Sequence, residues 1–548
     1  MMATRPVKLF PLGEELMTVD EKTTVAELHQ PLYQPHLLVS ALRYDLKRPL
    51  LRLDDGKTIT VGEFGELTSQ YLQAFIACGW RPGARIAILS ANRPEVLYVT
   101  AACLIGKYVL VPLHPAGALE DLLYMIEDSD SQALVFDPTK FSERAAAVGE
   151  RARTCCLLAF GPSEVGDDLC ARAAAFPAGP LVAPDVKADD PYRLSYSGGT
   201  TGRPKAVVGT QRTGAAVLHI QLAEWEWPAK IRQLVCAPLS HAGAAMFLPT
   251  LLRGGTMVVL PGFDALAVLE AIQKHRITCV LLVPTMIYAL LNHPRFDEFD
   301  LSSLETIFYG ASPMSPERLR EGIAKLGPIF FQFYGQVEAP MTISVLRRLE
   351  HIVDNPSRLA SCGRPVPWVQ VALLDDKHAE VPVGEPGEIC VRGTLVMAGY
   401  FNRPEQTAEA FAGGWLHTGD IAIRDSDGFL RIVDRKKDMV ITGGFNVYPR
   451  EIEDVLSAHP AVSNCAIIGV PDPHWGEAVK AIVVLRRDCR SSAEELRAYV
   501  REIKGPLHTP KTVDFVSVIP LTPVGKPDKK LLRMQFASSS REGLTSHD

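Results

Sequence analysis

The sequence predicts an α/β protein with a large N-terminal domain and a smaller α+β C-terminal domain. Much of residues 50–330 alternates apolar runs with amphipathic segments, which is typical of parallel sheets covered by helices and predicts two βα-layered subdomains. Residues 368–393 contain short alternating strands and glycine turns, which predict a small β-barrel-like subdomain. The pattern changes again after about residue 434, where a charged cluster precedes enough elements for a further compact domain.

Hydrophobic periodicity gives the individual elements of the N-terminal part. Short continuous apolar runs predict buried strands, and apolar residues at helical spacing predict helices. The predicted strands are 85–90, 108–115, 277–283, 304–310 and 328–335, and the predicted helices are 93–106 and 264–276. The longest apolar run, 279–291, is short for a membrane span and contains Pro284, so it predicts a strand that leads into a helix.

The later elements are shorter. Alternating residues predict strands at 368–374 and 387–393, and segment 439–456 predicts a strand, a glycine turn and a helix. Strands at 464–470 and 478–485 and a helix at 493–503 follow, before a Pro/Gly-rich run at 519–530. We therefore predict an N-terminal domain over 1–434, a C-terminal lid domain over 435–533 and a polar, disordered tail over 534–548.

Composition narrows the classes of protein to which the chain could belong. Its 548 residues exceed what one hydrophobic core usually organises, and 47% hydrophobic and 22% charged residues are ordinary for a globular protein. The net charge of −6 gives no polybasic footprint, which argues against nucleic acid as a partner. The 11 scattered cysteines form no CxxC pair, so we expect reduced thiols and neither a disulfide framework nor a zinc site.

The chain ends carry no targeting signal that we recognise. The N-terminus lacks the continuous apolar core of a signal peptide, and the C-terminus lacks the peroxisomal Ser-Lys-Leu ending. We expect a cytoplasmic protein without a transmembrane segment.

A glycine- and hydroxyl-rich loop lies within 194-LSYSGGTTGRPKAVVGTQR-212. Its glycines let the backbone point several N–H groups into one concavity, and Lys205 and Arg203 add positive charge, which suits a polyphosphate. The loop is not a Walker A motif, since the spacing differs and Pro204 disfavours the helix that such a motif opens. The alternative is a surface hairpin tip, because Gly, Ser and Thr are common turn residues.

Further motifs follow this loop in a fixed order. They are 334-YGQVE-338, 387-GEICVRG-393 with 399-GYFNRPEQT-407, 415-WLHTGD-420, 434-DRKKDMVITGGFNVYPREIE-453 and 520-PLTPVGKPDKK-530. Together with the loop they resemble the adenylate-forming superfamily, in its acyl-CoA synthetase branch. The resemblance implies that a carboxylate attacks the α-phosphate of ATP, which gives an acyl-adenylate and pyrophosphate. A thiol, usually that of coenzyme A, then displaces AMP.

The resemblance also implies an ATP site. Lys205 and the loop would hold the departing phosphates, Tyr334 would stack on adenine, and Asp420 would accept both ribose hydroxyls. Glu338 would bind Mg²⁺, together with Thr200, because a hard cation prefers oxygen ligands. The full set of implied ATP contacts is Ser197, Gly198, Gly199, Thr200, Thr201, Gly202, Lys205, Gly310, Ala311, Ser312, Tyr334, Gly335, Asp420, Arg435 and Lys526.

The resemblance implies that the C-terminal domain is a mobile lid, which carries a catalytic group to the ATP site. Lys526 would act with Glu338 and Lys205 as a catalytic group, because its ammonium can neutralise the carboxylate and ATP oxygens as they approach. Lys437 occupies the position of the hinge about which the lid rotates between the two steps. After rotation Gly443 and Gly444 would line the channel for coenzyme A.

The resemblance places the pocket for the acid substrate at 237-APLSHAGAAMF-247. Relatives that activate amino acids carry an aspartate in this segment, which pairs with the ammonium group of the substrate. This chain has no acidic residue there, which argues against an α-amino acid. The predicted acyl pocket contains His241, Gly243 and Gly310, and its small residues leave room for a fatty or other bulky apolar chain. An aromatic carboxylate is the alternative substrate.

Three hypotheses stand at this point. The first is an acyl-CoA ligase that uses ATP, Mg²⁺ and coenzyme A, with a homodimer left open. The second is a stand-alone adenylating enzyme that loads an aryl or fatty acid onto a carrier protein. The third is a non-catalytic ATP-binding relative, motivated by Val337 where the family usually has threonine before the glutamate.

Overall fold

The computed structural model describes residues 31–537, except for 54–55, 153–154, 198–202, 437, 443–444, 473–474, 488 and 523–526. Several predicted site residues lie outside this part of the chain. They are Gly198, Gly199, Thr200, Thr201, Gly202, Lys437, Gly443, Gly444 and Lys526.

The strands are numbered in chain order. They are β1 (Pro49–Arg52), β2 (Thr58–Thr60), β3 (Arg85–Leu89), β4 (Val109–Pro112), β5 (Ala133–Phe136), β6 (Cys156–Ala159), β7 (Asp167–Asp168), β8 (Pro191–Ser197), β9 (Lys205–Thr210), β10 (Arg232–Val235), β11 (Thr256–Val259), β12 (Cys279–Leu282), β13 (Thr306–Gly310), β14 (Phe330–Gln336), β15 (Ala339–Leu346), β16 (Arg364–Pro365), β17 (Gln370–Leu374), β18 (Pro386–Arg392), β19 (Leu416–Arg424), β20 (Leu430–Arg435), β21 (Val440–Thr442), β22 (Phe445–Val447), β23 (Val462–Asp472), β24 (Gly476–Leu485) and β25 (Thr512–Phe515).

The α-helices are numbered in the same way. They are α1 (Gln34–Ala41), α2 (Val61–Ala77), α3 (Pro94–Gly106), α4 (Leu119–Asp128), α5 (Pro138–Arg151), α6 (Leu169–Ala174), α7 (Gln211–Glu224), α8 (Phe247–Leu252), α9 (Ala265–His275), α10 (Pro284–Leu291), α11 (Pro316–Leu326), α12 (Pro356–Leu359), α13 (Pro404–Ala410), α14 (Pro449–Ala458), α15 (Ala493–Lys504) and α16 (Lys529–Ala537).

Two large sheets form the N-terminal part. One has seven strands in the order β7-β6-β5-β3-β4-β8-β9, and its strands are parallel except for the edge strand β9. The other has nine strands in the order β16-β15-β14-β13-β12-β10-β11-β1-β2. Its central strands are parallel. At the two ends β2 and β15 run antiparallel to them, and β16 pairs antiparallel with β15. Strands such as β5 and β12 are buried along their whole length, as expected where helices cover both faces of a sheet.

Two smaller sheets complete the fold. Strands β17 to β20 form an antiparallel meander, and the C-terminal sheet has the order β22-β21-β24-β23 with β25 parallel to β24. The buried apolar residues of this last sheet and its helices form clusters that contain no residue before Val440. The predicted fold class is confirmed: parallel βα layers, a small antiparallel sheet and a separate α+β unit.

The apolar run 279–291 illustrates how the sequence sets local structure. It forms strand β12 and helix α10, with the change at Pro284. Proline suits the first helical turn, because its fixed φ is close to helical and its missing N–H has no partner there in any case. None of the helices within the described ranges combines the length and apolar character that a membrane span requires.

Two details differ from the predicted elements. Segment 439–456 contains two short strands, β21 and β22, before its helix, where we predicted one. Helix α16 extends to Ala537, four residues beyond the predicted end of the lid domain at 533. Phe536 lies one helical turn after the buried Leu532 and packs on the same core cluster, which explains the extension.

Candidate active site

The phosphate loop connects two antiparallel strands at the edge of the seven-stranded sheet. Ser197 ends β8 and is paired with Lys205, the first residue of β9, so the two strands that flank the predicted phosphate loop are antiparallel neighbours. The choice between a phosphate loop and a surface hairpin tip depends on residues 198–202, which lie outside the described residues. Lys205 directs its ammonium at the face of Tyr400, 4.7 Å from the ring centroid.

Tyr400 joins this loop to the carboxylate predicted to bind Mg²⁺. Its hydroxyl donates a hydrogen bond to Oε1 of Glu338 over 3.1 Å. Burial, and then the charge of Glu338, raises the pKa of Tyr400, so the hydroxyl keeps its proton and acts as a donor. Among the described residues nothing donates to the second oxygen of Glu338, so the carboxylate retains a free ligand atom of the kind that Mg²⁺ prefers.

A second cluster contains the residues predicted to bind adenosine. The hydroxyl of Tyr334 donates to Oδ2 of Asp420 over 2.7 Å, and Nε of Arg435 lies 3.2 Å from Oδ1. The register of β19 and β20 places Asp420 opposite Arg435, so the ion pair follows from strand pairing. Burial, followed by the charge of Asp420, raises the pKa of Tyr334 well above its ordinary value. The cluster thus presents a fixed, hydrogen-bonded carboxylate.

The segment that follows β13 contains residues that are predicted to contact ATP. Gly310 ends this strand, and a Cβ there would collide with the carbonyl oxygen of Phe333 on the neighbouring β14. Ala311 follows with a φ of +66°, a left-handed conformation that is uncommon for a residue with a side chain and is often found at functional sites. Ser312 is partly exposed beside it, and Gly335 lies near the end of β14. The predicted backbone contacts therefore lie at the carboxyl ends of parallel strands, where α/β folds bind ligands.

The predicted acyl pocket is bordered by a tight loop. Gly243 is buried, and a Cβ there would meet the carbonyl oxygens of Ala237 and Pro238, so glycine is required by the loop itself. His241 lies before it, with Nδ1 3.0 Å from the hydroxyl oxygen of Ser240. Burial, then the nearby His114 and Arg193, lowers the pKa of His241 to about 3. Its imidazole is therefore neutral at ordinary pH.

Lys436 lies between strand β20 and the predicted hinge Lys437, and it is held by a cluster of polar side chains that we did not predict. The Lys436 ammonium lies 2.6 Å from Oδ1 of Asp376 and 3.5 Å from Oε2 of Glu388. Glu388 also accepts a hydrogen bond from the backbone of Gly419 and lies 3.1 Å from Nδ1 of His417. Glu388, Cys390 and His417 together form a cluster of a carboxylate, a thiol and an imidazole. Because these side chains hydrogen-bond to one another and lie beside the Lys436 ammonium, we interpret the cluster as a structural anchor.

The structure thus brings five of the described site residues together in two separate groups. Lys205 and Glu338 meet through Tyr400, and Tyr334, Asp420 and Arg435 form the other group. Tyr400 is the residue that we missed. It lies in the motif 399–407, and the place of this motif in the order of motifs was the signal that could have pointed to it.

Comparison with known proteins assigns the family. A profile of the AMP-binding enzyme family matches residues 39–401, and a profile of the AMP-binding enzyme C-terminal domain matches residues 451–526. The chain belongs to the AMP-binding enzyme family. The prediction of an adenylate-forming enzyme in the acyl-CoA synthetase branch is confirmed by these matches and by the relatives of this AMP-binding enzyme.

Three curated relatives span most of its length. The medium/long-chain-fatty-acid–CoA ligase FadD8 of Mycobacterium tuberculosis (strain ATCC 25618 / H37Rv) is 48% identical over 523 residues, 93% of this chain and 91% of that protein. A feruloyl-CoA synthase of Amycolatopsis sp is 38% identical over 88% of this chain and 94% of that protein. The fatty acid–[acyl-carrier-protein] ligase ScoC of Streptomyces coeruleorubidus is 31% identical over 89% and 93%.

Solved structures agree in fold. The amide bond synthetase McbA from Marinactinospora thermotolerans has a TM-score of 0.82 at 34% identity and covers 91% of this chain and 100% of its own. MatB from Rhodopseudomonas palustris, 28% identical over 93% of this chain and 100% of its own, has a TM-score of 0.84 with ATP bound and 0.73 without ligand.

Proposed function

We propose that this enzyme is an ATP-dependent acid–thiol ligase that activates a fatty or other bulky apolar carboxylic acid and transfers it to coenzyme A. In the first step a carboxylate oxygen bonds to the α-phosphorus of ATP, and the bond to pyrophosphate breaks. In the second step the sulfur of coenzyme A bonds to the acyl carbon, and AMP leaves. The observation that carries the proposal is the joining of Lys205 and Glu338 through Tyr400 in a chain 48% identical to a fatty-acid–CoA ligase.

The first step would use both clusters of the site. Asp420, fixed by Tyr334 and Arg435, would accept the ribose hydroxyls, and Lys205 with the loop residues Thr200 and Thr201 would hold the departing phosphates. Glu338 and Thr200 would hold Mg²⁺, which would neutralise charge on the phosphate oxygens. Lys526 would approach the carboxylate from the lid domain and complete the site.

The second step would follow a rotation of the lid about Lys437. Lys526 would withdraw, and Gly443 and Gly444 would come to border the channel through which coenzyme A enters. Cytoplasmic location and a homodimer stay predictions.

The class of acid rests on the relatives and on the pocket segment. The 48% identical relative acts on medium and long fatty acids, whereas the 38% identical relative forms feruloyl-CoA. Segment 237–247 contains no acidic residue and carries the small residues Ala242, Ala244 and Ala245 after His241. These features favour an apolar acyl chain over an amino acid.

The second candidate function is loading of a carrier protein, which the 31% identity to a fatty acid–[acyl-carrier-protein] ligase favours. The deciding experiment measures pyrophosphate release from ATP across fatty, aryl and amino acids, alone, with coenzyme A and with a phosphopantetheinylated carrier protein. We expect fatty acids with coenzyme A to give the highest kcat/KM. Turnover with the carrier protein and little with free coenzyme A would instead support the second candidate.

A further inference from the structure

Two cations at the end of the predicted phosphate loop each lie over the ring of a tyrosine. The Lys205 ammonium faces Tyr400, and Cζ of Arg203 lies 4.9 Å from the centroid of the Tyr124 ring. Tyr124 is a residue of helix α4, which lies outside every motif that predicted the ATP site. The contact therefore joins the end of the loop to a helix that has no predicted role in nucleotide binding.

Tyr124 is held in place by a carboxylate of the same helix. Tyr124 and Asp128 are four residues apart, so they lie on one face of α4, and the tyrosine hydroxyl donates to Oδ1 of Asp128 over 3.2 Å. The Asp128 side chain is 8% exposed and ends the helix, where a negative charge opposes the helix dipole. Helix stability does not favour an aspartate at this position, which directs attention to the contacts that Asp128 makes.

Asp128 is connected to both strands that flank the loop. The hydroxyl of Tyr196, the residue before the last of β8, lies 3.0 Å from Oδ2 of Asp128. Nη2 of Arg403 donates to Oδ1 over 2.6 Å, and Arg403 follows segment 398–401, which hydrogen-bonds along β9. One carboxylate thus links α4 to β8 and, through Arg403, to the segment paired with β9.

The two arginines of this group differ in what they have left to bind. Arg403 is paired with the carboxylate of Asp128. Arg203 is exposed, and none of the described residues accepts a hydrogen bond from it. A cation–aromatic contact uses the charge of a guanidinium and consumes none of its five N–H donors. Arg203 is therefore the cation that can bind a phosphate while it lies over Tyr124.

We propose that Tyr124 and Asp128 are positioning residues that hold Arg203 beside the departing phosphates, so that helix α4 contributes to the binding of the triphosphate of ATP. The proposal rests on the proposed function, because it takes the connection between β8 and β9 as the phosphate loop. Tyr124 and Asp128 do not touch the nucleotide. They restrict a long, exposed side chain before ATP arrives, which reduces the conformational entropy that Arg203 loses when it binds phosphate.

The test compares two nucleotides that differ in the phosphates the loop would hold. Binding of ATP and of AMP to the full-length enzyme, with Mg²⁺ and without acid, is measured by calorimetry for the wild type and for Tyr124→Leu. This variant loses the aromatic face and keeps an apolar side chain, so we expect ATP to bind about fivefold more weakly and AMP to bind equally well. Asp128→Asn should act in the same direction. Tyr124→Phe keeps the face and should stay within about twofold of the wild type for both nucleotides.

A double-mutant cycle shows whether Tyr124 acts through Arg203. Arg203→Gln should weaken ATP binding about tenfold, and the addition of Tyr124→Leu should cause no further loss. Phe299→Leu is the matched control, because Cζ of Arg295 lies 5.3 Å from the centroid of that ring in the segment that leads into β13. It should change the affinity for neither nucleotide.

Three outcomes contradict the proposal. Equal losses for ATP and AMP in Tyr124→Leu would show that the tyrosine only supports the fold, and unchanged ATP binding would show that Arg203 needs no such support. Additive losses in the double variant would show that Tyr124 acts independently of Arg203. Failure of the wild-type enzyme to release pyrophosphate with any acid would instead count against the proposed function, so the two failures are distinguishable.

Discussion

At the scale of single residues, two tyrosine side chains position the charged side chains of the candidate site. Tyr400 contacts both Lys205 and Glu338, and Tyr334 holds Asp420. A carboxylate fixed in this way needs no reorganisation when a nucleotide or cation arrives, which is how enzymes gain from preorganised charge.

Tyr400→Phe tests this positioning. The change removes the hydroxyl that donates to Glu338 and keeps the aromatic face below Lys205, so we expect kcat/KM for ATP to fall about tenfold, the value of one hydrogen bond to a charged group. Because the group acts through Glu338, the Mg²⁺ concentration needed for half-maximal activity should rise. Tyr44→Phe, at a highly exposed tyrosine, is the matched control. An unchanged Mg²⁺ requirement would show that the contact does not position the carboxylate.

Lys526→Ala tests the proposed catalytic lysine. Its charge is needed most when the carboxylate and phosphate oxygens approach each other, so we expect pyrophosphate release to fall by about 100-fold or more while ATP affinity stays nearly unchanged. Stopped assays of the first step alone, with Lys530→Ala at an exposed neighbour as control, measure this. Near-normal adenylation by the variant would exclude the assignment.

At the scale of elements, a partly buried ion network joins helix α14 to its neighbours. Glu451 lies in its first turn, 3.3 Å from the ammonium of Lys504 at the end of α15 and 3.4 Å from Nε2 of His508. A negative charge at the N-terminus of a helix is also favourable to the helix dipole. The hydrogen bond from His508, and then the charge of Lys504, lowers the pKa of Glu451 to about 2 against the opposing effect of burial.

This shift predicts a pH-dependent stability. A carboxyl pKa lowered in the folded state adds stability above the ordinary pKa of about 4.5, and that stability is lost as pH falls toward 2. Glu451→Gln should therefore cost about 2–3 kcal/mol in the free energy of unfolding at pH 7.5, and less at pH 4. Urea unfolding of the full chain at the two pH values measures it, with the exposed Glu494→Gln as control. A cost independent of pH would mean that packing, not charge, stabilises the helix.

At the scale of the whole molecule, the C-terminal unit has its own apolar core and meets the rest of the chain through polar contacts. The backbone N–H of Arg450 donates to Oδ2 of Asp434 over 3.0 Å, and its Nη2 donates to the carbonyl oxygen of Met314 over 3.4 Å. Burial raises the pKa of Asp434 to about 6, and the charge of Lys529 offsets part of that rise. Polar contacts can be exchanged for water, so these two hydrogen bonds would not prevent a rotation of this unit.

Lys437→Pro tests whether such a rotation separates the two steps. Proline fixes φ at the residue that would absorb the rotation, so we expect adenylation to be largely retained and thioester formation to fall by about 100-fold or more. Single-turnover assays that follow pyrophosphate release and acyl-CoA formation separately give the two rates. Lys436→Pro is not a suitable control, because Lys436 is anchored at Asp376 and Glu388. Lys437→Ala, which removes the same side chain and leaves φ free, is preferable, and equal loss of both steps in Lys437→Pro would contradict the hinge role.

The sequence by itself determined the fold class and the family, because hydrophobic periodicity and short motifs are local properties that chain order preserves. The residues of the ATP site are predicted from the same motifs. Only the tertiary structure decided that Tyr400 joins Lys205 to Glu338 and that Arg193 donates to the loop in which His241 contacts His114. Tyr400 lies 62 positions from Glu338 along the chain and still farther from Lys205. Their contacts depend on strand order and register, which bring distant segments together and leave no local trace in the chain.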